Sequence, residues 1–142
     1  MAKTLTMQVM SNELADALMQ GAVAKAQEMA VPMCIALCDP SGTLIQFRRM
    51  DHAALLSVQI AQDKAFTAVS FGMATHEWHD FIKDDAPLLH GIVHTPRLVV
   101  FGGGYPVKVD GQLVGGIGVS GGHYSHDMEV ARAGLAAAGL SV

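Results

Sequence analysis

Residues 97–127 read RLVVFGGGYPVKVDGQLVGGIGVSGGHYSHD, and this stretch decides the fold. It carries nine of the chain's fifteen glycines. Glycine costs chain entropy, so a run of it persists where the backbone turns tightly or lies close against something. Asp110-Gly111, set between two apolar runs, is the strongest short-range signal for a two-residue hairpin. It joins predicted strands at residues 105–109 and 112–119, and a further strand is predicted at 98–101. Gly121-Gly122 then turns the chain into a last, Ala-rich helix that starts at Ser125 or His126 and ends near Gly139.

Working outward, the first helix is expected from Met7 or Ser11 to Ala30, with Leu14, Ala17, Leu18 and Ala22 marking its faces and Pro32 closing its exit. Residues 33–38 form a short buried strand, Pro40-Ser41-Gly42 a turn, and residues 43–49 the hairpin partner. A second helix spans residues 55–71, with Ala61, Lys64, Ala65 and Ala68 at helical spacing. Thr75 is a predicted N-cap for a short helix through Lys83, and a loop rich in Pro and His covers residues 84–96. The order is helix, two strands, two helices, three strands, helix. Tight turns between paired strands make the sheet antiparallel, so residues 1–142 are expected to form a single α+β domain, not a doubly wound one.

Apolar residues make up 51% of the chain and charged residues 15%, against a usual charged share of about 25%. So few charges over the surface of a 142-residue domain, with nine methionines, suggest that a second copy covers part of it. A homo-oligomer is therefore expected. A net charge of −4, with the basic residues scattered, argues against nucleic acid as partner. No apolar run approaches the ~20 residues that span a bilayer, and MAKTLTMQ lacks a secretory apolar core. A cytoplasmic protein with no membrane contact is the expectation.

Cys34 and Cys38 share a face of one predicted strand but lie about 13 Å apart at ~3.3 Å per residue. That separation exceeds the ~7 Å that a disulfide tolerates, so both read as buried free thiols. Gly116-Ile117-Gly118-Val119-Ser120-Gly121 matches G-x-G-x-x-G. Its first two glycines fall inside a strand, however, and no acid follows ~20 residues on to take a ribose hydroxyl, so nucleotide binding is rejected. The turn Ser120-Gly121-Gly122-His123 at a helix N-terminus reads either as an anion site built of backbone N–H groups or as a plain strand-to-helix turn.

The seven histidines fall as His76 and His79, His90 and His94, His123 and His126, with His52 alone. Two pairs brought together would supply a divalent metal, and His76, His79, His90 and His94 are the candidate ligands; scattered surface histidines are the plainer reading. His76-Glu77-Trp78-His79 is one residue short of H-E-x-x-H. Lys64 stands alone among small apolar residues of the second helix, either snorkelling to solvent or reaching a ligand carboxylate. Asp51 either orients His52 or caps the helix that follows.

Taken together, these residues resemble the GlcG/HbpS family of haem-binding-type proteins, which includes the C-terminal domain of PduO-type proteins. The resemblance covers nearly the whole chain. It rests on Ala36-Leu37-Cys38-Asp39 with Ser41-Gly42, on Arg49-Met50-Asp51, and on Lys64-Ala65 with Thr67-Ala68. Its most specific part is Gly102-Gly103-Gly104-Tyr105-Pro106, then Asp110-Gly111, then GGIGVSGG at residues 115–122. It implies a profilin-like fold with a five-stranded antiparallel sheet flanked by helices, homo-oligomeric assembly, and small-ligand binding that for some members means haem. The chain departs from the pattern in having no histidine before His52, in placing His52 where glycine is usual, and in its histidine-bearing stretch 76–94. His123-Tyr124-Ser125-His126-Asp127 also replaces a more acidic opening of the last helix.

Two functions are weighed on this basis. The first is a protein that binds a small anionic or planar ligand, haem foremost, in a pocket rimmed by Gly103, Gly104, Tyr105, Gly121, Gly122 and His123. A histidine of the 76–94 region or His123 would ligate iron. The second is an enzyme without organic cofactor, a lyase, isomerase or hydrolase of a small catabolic acid, possible in a metal-assisted form. There His52 or His123 would act as acid or base, since imidazole titrates near neutrality, and Lys64 or Arg49 would hold the carboxylate.

Overall fold

A computed structural model describes all of residues 1–142. Helix α1, Asn12–Met29, starts where Ser11 Oγ accepts a hydrogen bond from the Leu14 amide at 3.1 Å, and it ends at Ala30 in the left-handed region, φ 57°. Strand β1, Cys34–Cys38, and strand β2, Leu44–Arg49, form a hairpin. At its turn, Asp39 Oδ1 accepts from the amides of Ser41 (2.8 Å) and Thr43 (3.0 Å). Helices α2 (Leu55–Phe71), α3 (Glu77–Ile82) and α4 (Ala86–Gly91) follow, then a 3-10 turn at Ile92–His94. Strands β3, Gly104–Val109, and β4, Gln112–Ser120, are joined at Asp110 and Gly111. Both turn residues have positive φ, 50° and 77°, as a right-twisted hairpin demands. Helix α5, Tyr124–Ala137, closes the chain.

The antiparallel sheet has the order β2-β1-β4-β3. Alternation along β4 sorts its two faces. Ile117 and Val119 join Leu18, Ile35, Leu37, Val107, Val130 and Leu135 in a core under α1 and α5. The opposite face meets α2, where Cys34, Ala36, Cys38, Ala61 and Ala65 pack together. On that face β4 presents Gly116 and Gly118. A Cβ on Gly118 would strike Ala61 O and Ala65 N, and one on Gly116 would come within 2.7 Å of Ala65 O. The glycines that resembled a nucleotide loop are thus the bed on which the backbone of α2 lies. Both cysteines are buried and free, and burial pushes the Cys38 thiol up to about 11, leaving it inert as a nucleophile.

Two sequence expectations are corrected. Residues 98–101 form no strand, so the sheet has four strands, not five. Thr67 of α2 takes up that backbone instead: its hydroxyl donates to Arg97 O at 2.8 Å and accepts from the Val99 amide at 3.0 Å. A segment whose polar groups are satisfied by a side chain has no need of a ladder. The expected loop at 84–96 holds α4 and the 3-10 turn, because Asp85 Oδ1 caps the Leu88 amide at 3.4 Å and Pro87 sits in the first turn, where its missing N–H costs nothing. No helix is long and apolar enough to cross a membrane.

Candidate functional site

Strand register gathers most of the candidate residues at one end of the sheet. Cys34 lies opposite Arg49 on one side and Ser120 on the other, and Gly104 lies opposite Gly118. His52, Gly121, Gly122 and His123 therefore leave the sheet at the end where Gly103 enters it. They do not, however, share one pocket. The Arg49 guanidinium donates to Ala53 O at 3.0 and 3.3 Å and lines a cleft of about 340 Å³ with Arg48, Asp51 and Pro32, on the β2 side. His52 is exposed at φ 68°. Its left-handed backbone explains why glycine suits this position.

Lys64 is fully buried, and its Nζ lies 2.8 Å from Asp127 Oδ2 and 2.9 Å from Val119 O. Its ammonium also faces the Phe101 ring, 5.0 Å from the centroid. The remaining Asp127 oxygen, Oδ1, accepts from the Gly122 amide at 3.0 Å. Burial pulls Lys64 below its ordinary value and pushes Asp127 above its own, each opposed by attraction to the other. Two groups expected to grasp a ligand anion, the Lys64 ammonium and the Gly122 amide, thus meet the protein's own carboxylate. Gly103, at φ 125°, makes room for the pair, since a Cβ there would lie 2.6 Å from Lys64 Nζ and 2.6 Å from Val119 O.

His123 caps α5: its Nδ1 accepts from the Ser125 amide at 3.2 Å, and its ring lies against Tyr124 with centroids 4.1 Å apart. The helix accordingly begins at Tyr124, one residue before the earliest expected start. Gly121, at φ 153°, lets the turn pass close to Pro32 O and Met33. Gly104 donates its amide to Thr75 Oγ1 at 2.9 Å and accepts from the Thr75 amide through its carbonyl at 2.9 Å. These glycines are close-approach positions of the fold.

The cleft with chemistry in it lies beside them. It has a volume of about 360 Å³ and is lined by His76, His79, Asp80, Val100, Phe101, Gly102 and Tyr124. His76, not the expected Thr75, occupies the N-cap position of α3 without a side-chain cap bond, and His79 follows one turn later. Gly102 lets the 100–102 segment close in, for a Cβ there would collide with Met128 and lie 3.3 Å from His76 Cβ. Phe101 and Tyr124 are large aromatics left 43% and 45% exposed, which makes them available walls. On the far side of His76 lies a second cleft of about 510 Å³, whose lining includes Tyr105, Lys108, Met128 and Arg132. His76 and Tyr105 face one another at 5.6 Å between ring centroids.

His90 and His94 line neither cleft. No three His, Cys, Asp or Glu side chains converge as a metal set, so His76, His79, His90 and His94 are not assembled as the four-ligand site their spacing suggested. The two close pairs sit on separate short elements, α3 and α4 with its 3-10 turn, which the spacing alone did not reveal. Sequence reasoning missed Asp127, Phe101 and Tyr124. A lone lysine amid small apolar residues was a signal that a carboxylate partner existed, but its separation of 63 residues hid which one.

The comparisons with known proteins agree with this architecture. A family model described as haem degrading protein HbpS-like matches residues 10–136. The corrinoid adenosyltransferase PduO of Salmonella typhimurium is 40% identical over 121 residues, covering 84% of this chain but 36% of that protein, so the chain spans about a third of its length. The crystal structure of Klebsiella pneumoniae protein ORFY superposes with a TM-score of 0.89 at 29% identity, covering 98% of this chain and 97% of that one. That of a PduOC:haem complex gives 0.85 at 37% identity, covering 91% and 94%. A family match that runs through both helical layers and all four strands leaves one conclusion: the chain belongs to the HbpS-like family.

Proposed function

We propose that this protein binds haem in the cleft lined by His76 and His79, with His76 as the iron ligand. The observation that carries the reading is that both imidazoles open into one cleft walled by the exposed rings of Phe101 and Tyr124. That donor chemistry fits the group: imidazole is a common axial ligand of haem iron, and aromatic faces suit a flat macrocycle. When bound, haem would supply the redox and ligand-binding chemistry of its iron. The chain's own residues would position it: His76 by ligation, Phe101 and Tyr124 by stacking, and His79 as a second imidazole beside the first. The haem-bound relative and the family description support the same ligand class. The competing picture of an enzyme for a small acid is weakened because Lys64, one of its two carboxylate holders, already holds Asp127, while the other, Arg49, donates to Ala53 O. Self-association is part of the proposal, motivated by Leu55, Leu56, Phe71 and Phe81, each more than 60% exposed.

Absorbance titration with haemin tests it. A saturable Soret shift is expected, lost in His76→Ala and altered in His79→Ala, with His90→Ala and His94→Ala like the unaltered protein. A flat, unsaturable response, or a shift indifferent to both His76 and His79, would overturn the assignment.

A further inference from the structure

Nine Lys and Arg serve the whole chain. Lys25, Lys64, Lys83 and Arg97 each pair with a carboxylate. Arg49 is spent on Ala53 O. Of the four cations left without an acid partner, Lys3, Arg48, Lys108 and Arg132, two line the same cleft: the one that adjoins the haem cleft across His76. In a chain of net charge −4, two unpaired cations facing one cavity mark a place that takes negative charge.

The local structure holds them there. Arg132 stands one turn after Met128 on α5, and both line the cleft. Its Nη1 donates to Tyr105 Oη at 3.2 Å, and Tyr105 is 3% exposed, so a rigid buried side chain steadies the guanidinium. Tyr105 in turn faces His76. Lys108 follows the register shift in β3 between Val107 and Lys108, where an irregularity re-aims the strand. The cleft contains one acid side chain, Glu77, whose Oε2 already accepts from the Ala74 amide at 3.1 Å; Gly72, Pro106 and Val142 share the lining.

From this geometry we infer that Lys108 and Arg132 form a carboxylate-binding subsite for the acid side arms of the tetrapyrrole whose iron His76 ligates. The inference rests on the haem reading above and adds to it which edge of the ligand is recognised and by what. The guanidinium offers a planar fork to one carboxylate and the ammonium a point charge to another. The protein would therefore prefer tetrapyrroles with free carboxylates and would retain affinity for them without iron.

The test uses the full chain with three probes: haemin, haemin dimethyl ester, and metal-free protoporphyrin. The expected result is that the ester binds at least about tenfold more weakly than haemin, the loss of one or two charge-assisted hydrogen bonds. In Lys108→Gln/Arg132→Gln, haemin should bind as weakly as the ester does to the unaltered protein, while ester affinity stays unchanged. Protoporphyrin binding should survive His76→Ala and fall in the Lys108/Arg132 variant. Both altered side chains are exposed, and circular dichroism confirms that the variant is folded. If haemin and its ester bind equally, or the double variant discriminates between them as the unaltered protein does, the subsite is refuted and the haem reading stands. If haemin does not bind at all, both fall.

Discussion

Lys64 Nζ on α2 and Asp127 Oδ2 on α5 meet at 2.8 Å across the end of the sheet, their side chains 0% and 3% exposed. This buried pair ties together the two helical layers that the sheet separates, and the Gly122 amide and Val119 carbonyl complete its hydrogen bonding. It forms the ground beneath the site: Phe101, a wall of the cleft, rests over the same ammonium.

Breaking the pair one-sidedly strands a buried charge. Lys64→Met and Asp127→Leu should each lower stability by about 3–5 kcal/mol, while the double variant recovers much of that loss. Urea denaturation of the three variants measures the coupling. Equal and additive losses would show that the two groups do not depend on one another.

The pair also sets a pH dependence. Burial raises Asp127 above its ordinary 3.8, so its contribution to stability is full below that value and declines as pH rises through the folded value. Lys64 is lowered from 10.5, so its contribution is full above that value and declines as pH falls through the folded one. In Lys64→Met the attraction that opposes the rise of Asp127 is gone. The cost of that substitution should therefore be smaller near pH 4 than near pH 7. A pH-independent cost would contradict a charged Asp127 in the native protein.

Gly118 has no room for a methyl group against Ala61 O and Ala65 N of α2, which are backbone atoms and cannot swing aside. Gly118→Ala should cost about 3 kcal/mol and lower the yield of folded protein. By contrast Gly111→Ala meets open space and strains only a positive φ, costing about 1 kcal/mol. Thermal melts of the two would separate close packing from turn strain as the reason for each glycine.

At His52 the reverse change is favourable. With φ at 68° and no role in the cleft, His52→Gly should leave haemin titration unchanged and raise stability by up to about 0.5 kcal/mol. A lost Soret response in that variant would return His52 to the functional site.

Self-association is measured by light scattering on a sizing column. A mass at a multiple of 15.0 kDa is expected, and acidic replacements at Leu55 and Leu56 should lower it if that exposed pair lies in the interface. A single 15.0 kDa species would mean that these leucines simply face water.

The sequence alone determined the antiparallel α+β plan, since its signals are local. Asp110-Gly111 specifies a hairpin through its own φ preferences, Pro40-Ser41-Gly42 another, and small residues at helical spacing define α2. Family membership was equally legible, carried by GGGYP and GGIGVSGG. The tertiary structure decided what depends on contacts between distant residues. Thr67, from α2, removed the fifth strand by satisfying the backbone of residues 97–99. Asp127 claimed the lysine and the glycine amide that were expected to serve a ligand. The cleft brings α3, the 100–102 segment and Tyr124 together, none of which neighbours the others in sequence. A side chain's hydrogen-bond partner is set by where the chain returns in space, and no periodicity along the chain encodes that return.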